Sequence, residues 1–167
     1  MRPPTGVTAP PVPIQEAVGD FVSALVGRGA AAGKVTPTDI EPDGSHVIGI
    51  YRDTHGAIAA ISLADLDFAA GTGAALGMIP SAAAHEAVAA GELPETLLEN
   101  YQEVANIMTS LLNSQNSPHL VLDEVRPSSD PDLPAEVWEA IASPSKRREF
   151  AVTIDGYGNG RIGVIIR

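Results

Sequence analysis

Residues 95–113 carry apolar side chains at helical spacing, which predicts one long amphipathic helix. Its polar residues fall in a narrow stripe opposite the apolar side. Within this stripe Glu103 and Asn106 are three positions apart, so they are neighbours on the exposed surface. A carboxylate beside a carboxamide on a rigid helix can orient a water molecule, so this stripe is the first candidate site. The apolar side contains Leu97, Tyr101, Val104, Met108 and Leu111, and the stripe contains Glu99, Glu103, Asn106, Ser110 and Asn113.

The same kind of patterning predicts the other elements. Further helices are expected at residues 14–26, 65–76, 81–90 and 135–141, and strands at 34–40, 46–52, 57–63, 118–125, 148–154 and 161–166. Asp43-Gly44 is a turn signal between the first two strands, which favours an antiparallel meander of the first three. The glycine-rich segment 155–160 predicts a hairpin that joins the last two strands.

This order of elements predicts an α+β fold, in which an antiparallel β-sheet carries helices packed on one face. Residues 1–13 are rich in proline and are expected to form a flexible tail, and residues 14–167 are expected to form a single domain. A chain of 167 residues that is 44% hydrophobic can build one ordinary core. Because aromatic residues make up only 4% of the chain, that core should consist mainly of Ala, Val, Ile and Leu.

Composition excludes several classes of function. The chain has no cysteine, which excludes disulfides, thiolate metal sites and a cysteine nucleophile. Its net charge of −11 disfavours nucleic-acid binding, since phosphate backbones are also negative. No apolar run approaches the length of a membrane span, and the first residues lack the hydrophobic segment of a secretory signal. We therefore expect a cytoplasmic protein that does not bind membranes.

Three glycines in the segment 71–77 allow two interpretations, a phosphate-binding loop or a closely packed helix. No lysine follows the segment, and Asp65 and Asp67 precede it, so close helix packing is favoured. The four histidines are scattered without the spacing of metal ligands, and there is no Gly-x-Ser-x-Gly motif. A metal site and a serine hydrolase are therefore not expected.

The polar stripe resembles the signature of the CheC/CheX family. In that signature, Glu-x-x-Asn is preceded four residues earlier by an acidic or hydroxyl residue and is followed by an apolar helical turn. The matching positions here are Glu99, Glu103 and Asn106, and Pro127 resembles a proline that the family carries downstream. This chain has one such motif in a helical context, as CheX proteins do, whereas CheC proteins generally have two. The resemblance implies a CheX/CheC-like fold and, since CheX proteins commonly act as dimers, a homodimer.

CheC/CheX proteins dephosphorylate response regulators. The resemblance therefore implies a phosphatase that acts on the aspartyl phosphate of a CheY-like response regulator, in a two-component or chemotaxis pathway. Asn106 would hydrogen-bond the attacking water, Glu103 would pair with the active-site lysine of the regulator, and Glu99 would assist docking. The phosphorylated regulator would supply Mg²⁺, so this chain itself would bind no cofactor and no metal. Such catalysis works by positioning and requires no side chain with a perturbed pKa.

The chain departs from the family pattern three and four residues after the Asn, where family helices often have glycine. These positions are Thr109 and Ser110, and their side chains oppose the close backbone approach that glycine allows. Two alternatives to the enzyme therefore stay open. One is a non-enzymatic domain of the same fold that binds a response regulator or a second copy of itself. The other is a structural or oligomerisation domain with no role in signalling.

Overall fold

The structure is a computed structural model, and it describes residues 15–113, 119–143 and 147–167. The tail expected at residues 1–13 lies outside the described residues. No helix among the described residues is long and apolar enough to cross a membrane. The elements in chain order are α1 Gln15–Val26, β1 Ala30–Val35, β2 His46–Arg52, β3 Ile58–Asp65, α2 Leu66–Leu76, α3 Ser81–Ala90, α4 Glu95–Ile107, α5 Thr109–Leu112, β4 Val121–Pro127, α6 Ala135–Ala142, β5 Arg147–Ile154 and β6 Gly158–Ile166.

The six strands form one sheet in the order β1-β5-β6-β3-β2-β4, and every neighbouring pair is antiparallel. The α+β class and the antiparallel sheet expected from the sequence are therefore confirmed. Two tight connections set the local register. Asp53 accepts backbone hydrogen bonds within the β2–β3 turn, and Gly156 and Gly158 adopt positive φ in the β5–β6 turn.

The expected meander of the first three strands is wrong. The first strand spans Ala30–Val35 instead of residues 34–40, and it pairs with β5 at the edge of the sheet instead of with β2. The run Ala30-Ala31-Ala32-Gly33 has no alternation of polar and apolar residues, so the sequence pattern could not place the strand. Residues 36–40 leave the sheet, and Ile40 is buried in the core.

The sheet is covered on both faces. Neighbouring residues of β2 point in opposite directions, so Val47 joins the core beneath α1, α2 and α4, whereas Ile48 joins a second core. Val137 and Ala140 of α6 belong to this second core. Helices α1, α2 and α4 thus cover one face, α3 packs on α2, and α6 covers part of the other face.

The glycines of α2 serve close helix packing, which confirms that interpretation of the segment 71–77. A Cβ atom built on Gly73 would lie 2.9 Å from the carbonyl oxygen of Leu97 in α4. Asn100 Nδ2 donates a 3.0 Å hydrogen bond to the Gly73 carbonyl, across the same contact. Gly71 and Gly73 are buried inside a regular helix and form no loop around an anion. Close contact with α2 therefore fixes one side of α4.

The long motif helix is interrupted at Met108, which separates α4 from the short α5. The hydroxyl of Thr109 donates a 2.8 Å hydrogen bond to the Asn106 carbonyl. It therefore competes with the backbone amides of the helix for this acceptor. Asn113 does not lie on the polar stripe as expected. Its side chain bonds to both backbone groups of Leu120, which ties the end of α5 to the residue before β4.

Candidate functional site

The candidate site is built on α4, and the buried side of this helix holds it in place. Leu97, Tyr101 and Val104 are almost fully buried. The hydroxyl of Tyr51 in β2 donates a 2.7 Å hydrogen bond to the Ala105 carbonyl. The ring of Tyr101 meets that of Phe68 edge to face, with the centroids 6.3 Å apart. These contacts restrict both the rotation and the sliding of α4 on the sheet.

The three residues singled out in the sequence, Glu99, Glu103 and Asn106, all lie on the exposed side of α4. None of their side chains has a hydrogen-bond or ion-pair partner among the described residues. The one contact at Asn106, from Thr109, goes to its backbone carbonyl. The structure thus brings the three residues to one helix face and leaves their polar groups available to a partner.

The exposed face of α4 is negatively charged. Glu95, Glu99 and Glu103 are exposed, and the helix contains no Lys or Arg. None of the ion pairs in the described part of the chain involves these three carboxylates. Uncompensated carboxylates on a rigid helix favour a partner that presents cationic groups.

The candidate site lies outside both of the clefts that the described residues are seen to line. One cleft of about 410 Å³ is lined by only one residue of α4, Leu98, and a second, shallower cleft is lined by Thr96 and Leu97 of this helix. Neither cleft includes Glu103 or Asn106. Pro127, the downstream proline of the family pattern, ends β4 and lines the first cleft. An exposed helix face suits a macromolecular partner better than a small ligand, which binds in concave sites.

Buried hydroxyl groups lie beneath the site. Burial raises the pKa of the Tyr51 phenol and of the Tyr101 phenol, so both hydroxyls stay protonated and neither serves as a base at neutral pH. Tyr101 Oη and Ser62 Oγ have no hydrogen-bond partner among the described residues. The two tyrosines therefore belong to the buried support of α4.

Sequence reasoning missed a buried ion-pair cluster on the opposite face of the sheet. Glu149 is 2% exposed and pairs with Arg147 and Arg161. The same carboxylate accepts hydrogen bonds from Thr38, and the Arg161 guanidinium donates to the Thr36 carbonyl. The cluster therefore fastens the segment that connects β1 with β2. The available signal was Glu149 at the point where the two arginines that begin β5 give way to an apolar run, with a further arginine in β6.

Comparison with known proteins places the fold. No protein-family model matches the chain, and no curated protein sequence matches it. The crystal structure of Thermotoga maritima FliY is 16% identical, with a TM-score of 0.53, over 91% of this chain and 89% of that one. FliM in the FliM–SpeE complex of H. pylori is 9% identical, with a TM-score of 0.55, over 91% and 80%.

The CheX–CheY–BeF3–Mg complex of Borrelia burgdorferi aligns with a TM-score of 0.44, at 12% identity over 89% of this chain and 91% of that one. At this score the likeness adds nothing to the fold assignment. The FliY and FliM likenesses show the fold alone, because the identities are low. The chain therefore has an α+β fold of the kind seen in FliY and FliM.

Proposed function

We propose that this protein is a CheX-type phosphatase that removes the aspartyl phosphate of a CheY-like response regulator, in a two-component or chemotaxis pathway of the cytoplasm. The observation that carries the proposal is the pair Glu103 and Asn106. Both side chains are exposed and have no hydrogen-bond partner among the residues that the structure describes, on a helix that Tyr51 fixes to the sheet. The fold that the chain shares with FliY and FliM supports the proposal, because it is an α+β fold with an antiparallel sheet, as the sequence resemblance implies.

The proposed chemistry is positioning of water. Hydrolysis of an aspartyl phosphate needs a water in line with the breaking P–O bond, while Mg²⁺ and a lysine of the regulator balance the phosphoryl charge. The carboxamide of Asn106 hydrogen-bonds this water and holds it in the attacking position. An amide has no useful basicity, so the gain comes from orientation and not from proton abstraction.

The proposed role of Glu103 is to set the register between the two proteins. Its carboxylate pairs with the ammonium group of the regulator's active-site lysine, and this pair places Asn106 against the phosphoryl group. Glu99, one turn earlier on the same face, contributes to docking through its charge. The Mg²⁺ ion belongs to the regulator, and the proposal assigns no metal to this chain.

The test is the decay of a phosphorylated CheY-like regulator from the same organism, in Mg²⁺, with the wild-type protein and with Asn106→Ala and Glu103→Ala. We expect wild-type protein to accelerate the decay. Asn106→Ala should lower kcat by about 100-fold, since loss of correct positioning costs this much in comparable sites. The variant should keep its stability within a few tenths of a kcal/mol, because an exposed helical Asn is being replaced by a better helix former.

Gln102 provides the matched control, since it is also exposed on α4 and has no proposed role. Gln102→Ala should leave the decay rate unchanged. If wild-type protein accelerates the decay of none of the regulators that the organism encodes, the enzymatic proposal is refuted.

A second candidate is a non-enzymatic domain of the same fold that binds a regulator or another protein. FliM, one of the proteins with this fold, was crystallised in a complex with a protein partner, SpeE. The side chains of Thr109 and Ser110, where the family often has glycine, also favour this candidate. It predicts that wild-type protein binds a phosphorylated regulator without changing its decay rate.

The homodimer is also a proposal, and it rests on the resemblance alone. Analytical ultracentrifugation of the full chain at several concentrations tests it. We expect a single species of twice the monomer mass, and a monomer at all concentrations would refute it.

A further inference from the structure

Met78, at the corner between α2 and α3, is the most exposed large apolar side chain of the described residues, with 89% of its surface accessible. Its backbone φ is 57°, and it is the only residue other than glycine in the described ranges with a positive φ. A left-handed conformation costs an L-residue free energy that glycine does not lose. Both the exposure and the backbone conformation of Met78 therefore oppose the stability of the fold.

The helix end explains the backbone conformation of this position but not the choice of Met. The Ile79 amide donates a 2.8 Å bond to the Ala74 carbonyl and the Met78 amide a 3.2 Å bond to the Ala75 carbonyl, which is the Schellman pattern. Glycine usually occupies the left-handed position of this motif. Here the glycine, Gly77, stands one residue earlier at a φ of −86°.

The backbone of this corner is held firmly. The Tyr157 hydroxyl donates a 2.6 Å hydrogen bond to the Ile79 carbonyl. The guanidinium of Arg28 stacks over the Tyr157 ring, 5.0 Å from its centroid. Ile79 itself packs against the α2–α3 core. A fixed backbone presents the Met78 side chain at a defined place, which limits the entropy lost when a partner covers it.

Met78 borders the candidate site through the contact between α2 and α4. A Cβ atom on Gly77 would overlap Asn100 Nδ2, so the corner lies directly against α4. Asn100 is three residues before Glu103, and Ile107, which is 37% exposed, is four residues after it. Glu103 thus lies between Ile107, one turn later on α4, and Asn100, the residue against which the corner with Met78 packs.

We propose that Met78 and Ile107 form the apolar part of the docking surface for the phosphorylated response regulator, beside the polar pair Glu103 and Asn106. The inference rests on the proposed function. A partner that brings its phosphoryl group to Asn106 covers the surface around Glu103, which has Ile107 one turn after it and, across Asn100, the corner with Met78 one turn before it. The complementary partner surface has an apolar depression next to the active-site cation, because α4 offers carboxylates and no basic group.

The experiment uses the regulator that the wild-type protein binds. The Kd is measured with beryllofluoride and Mg²⁺ as the stable mimic of the phosphorylated state, and the KM from the decay of the phosphorylated regulator itself. Met78→Gly relieves the left-handed strain, so its Tm should equal or exceed that of the wild-type protein. Its Kd and KM should nevertheless rise about tenfold, while kcat stays unchanged. Tenfold is the loss of affinity expected when part of a buried Met side chain is removed. Met78→Leu keeps the apolar bulk and should restore binding.

Val121 is the matched control, since it is 51% exposed and lies on the edge strand β4. Val121→Ala should leave Kd and KM unchanged. If Met78→Gly binds the regulator as tightly as the wild-type protein, the docking inference is overturned while the proposed function stands. If the wild-type protein binds no regulator, both are overturned.

Discussion

Two buried tyrosines beneath α4 provide a sharp test of the packing that supports the site. Tyr51 and Tyr101 are both fully buried, but only the Tyr51 hydroxyl has a partner, the Ala105 carbonyl at 2.7 Å. Tyr101 Oη has none among the described residues. Removing a satisfied buried hydrogen bond costs about 1 kcal/mol, whereas removing an unsatisfied buried hydroxyl recovers about 1 kcal/mol of desolvation.

The perturbation is therefore the pair Tyr51→Phe and Tyr101→Phe, which delete the same atom from the same residue type. We expect Tyr51→Phe to lower the free energy of unfolding by about 1 kcal/mol, and Tyr101→Phe to leave it unchanged or raise it by up to about 1 kcal/mol. The assay is equilibrium urea denaturation, in which the midpoint should shift while the slope m stays constant. The expected difference between the two variants is about 2 kcal/mol.

Equal destabilisation by both variants would refute this reasoning. It would mean that the Tyr101 hydroxyl is hydrogen-bonded, for example through a water shared with Ser62 Oγ, which also has no partner in the described part of the chain. A second readout separates packing from function. Because Tyr51 anchors the turn that carries Asn106, Tyr51→Phe should also lower kcat in the phosphatase assay, whereas Tyr101→Phe should not.

Three further outcomes are expected. Gly73→Ala places a Cβ atom 2.9 Å from the Leu97 carbonyl oxygen, so α2 and α4 must separate, and thermal denaturation should show a loss of about 1–3 kcal/mol. Glu149→Ala leaves the guanidinium groups around it, including that of Arg161, without their buried counter-charge, and chemical denaturation should show a loss of about 3 kcal/mol. Burial lowers the pKa of His46 below its ordinary 6.5, so the unfolded chain takes up the proton first. The free energy of unfolding should therefore fall as the pH drops below 6.5 towards the folded-state pKa, and this slope should be smaller in His46→Gln.

The sequence alone was sufficient for elements whose signals are local. The 3.6-residue periodicity located α4, and with it the exposed positions of Glu103 and Asn106. The helix expected at residues 81–90 is observed at Ser81–Ala90, and Gly91 closes it with a φ of 75°. The hairpin at Gly156 was also predicted from its glycine-rich segment, because a tight turn depends on residues that are adjacent in the chain.

Tertiary structure decided which distant segments meet, because periodicity gives the face of an element but not its partner. Nothing in the alanine-rich run identified β5 as the partner of β1, and nothing in α6 assigned it to the second face of the sheet. The burial of Glu149 likewise depends on arginines and threonines brought together from separate segments.

The candidate site divides in the same way. The sequence determined its polar pair, since Glu103 and Asn106 need only one regular helix to become neighbours on the surface. Only the tertiary structure placed Met78 at the border of that surface, because its position depends on how the end of α2 packs against Asn100. The left-handed backbone of Met78 depends likewise on the carbonyl groups that close the last turn of α2. The periodicity of the sequence gives no information on either contact. The polar pair could therefore be predicted from the sequence, whereas its apolar surroundings could not.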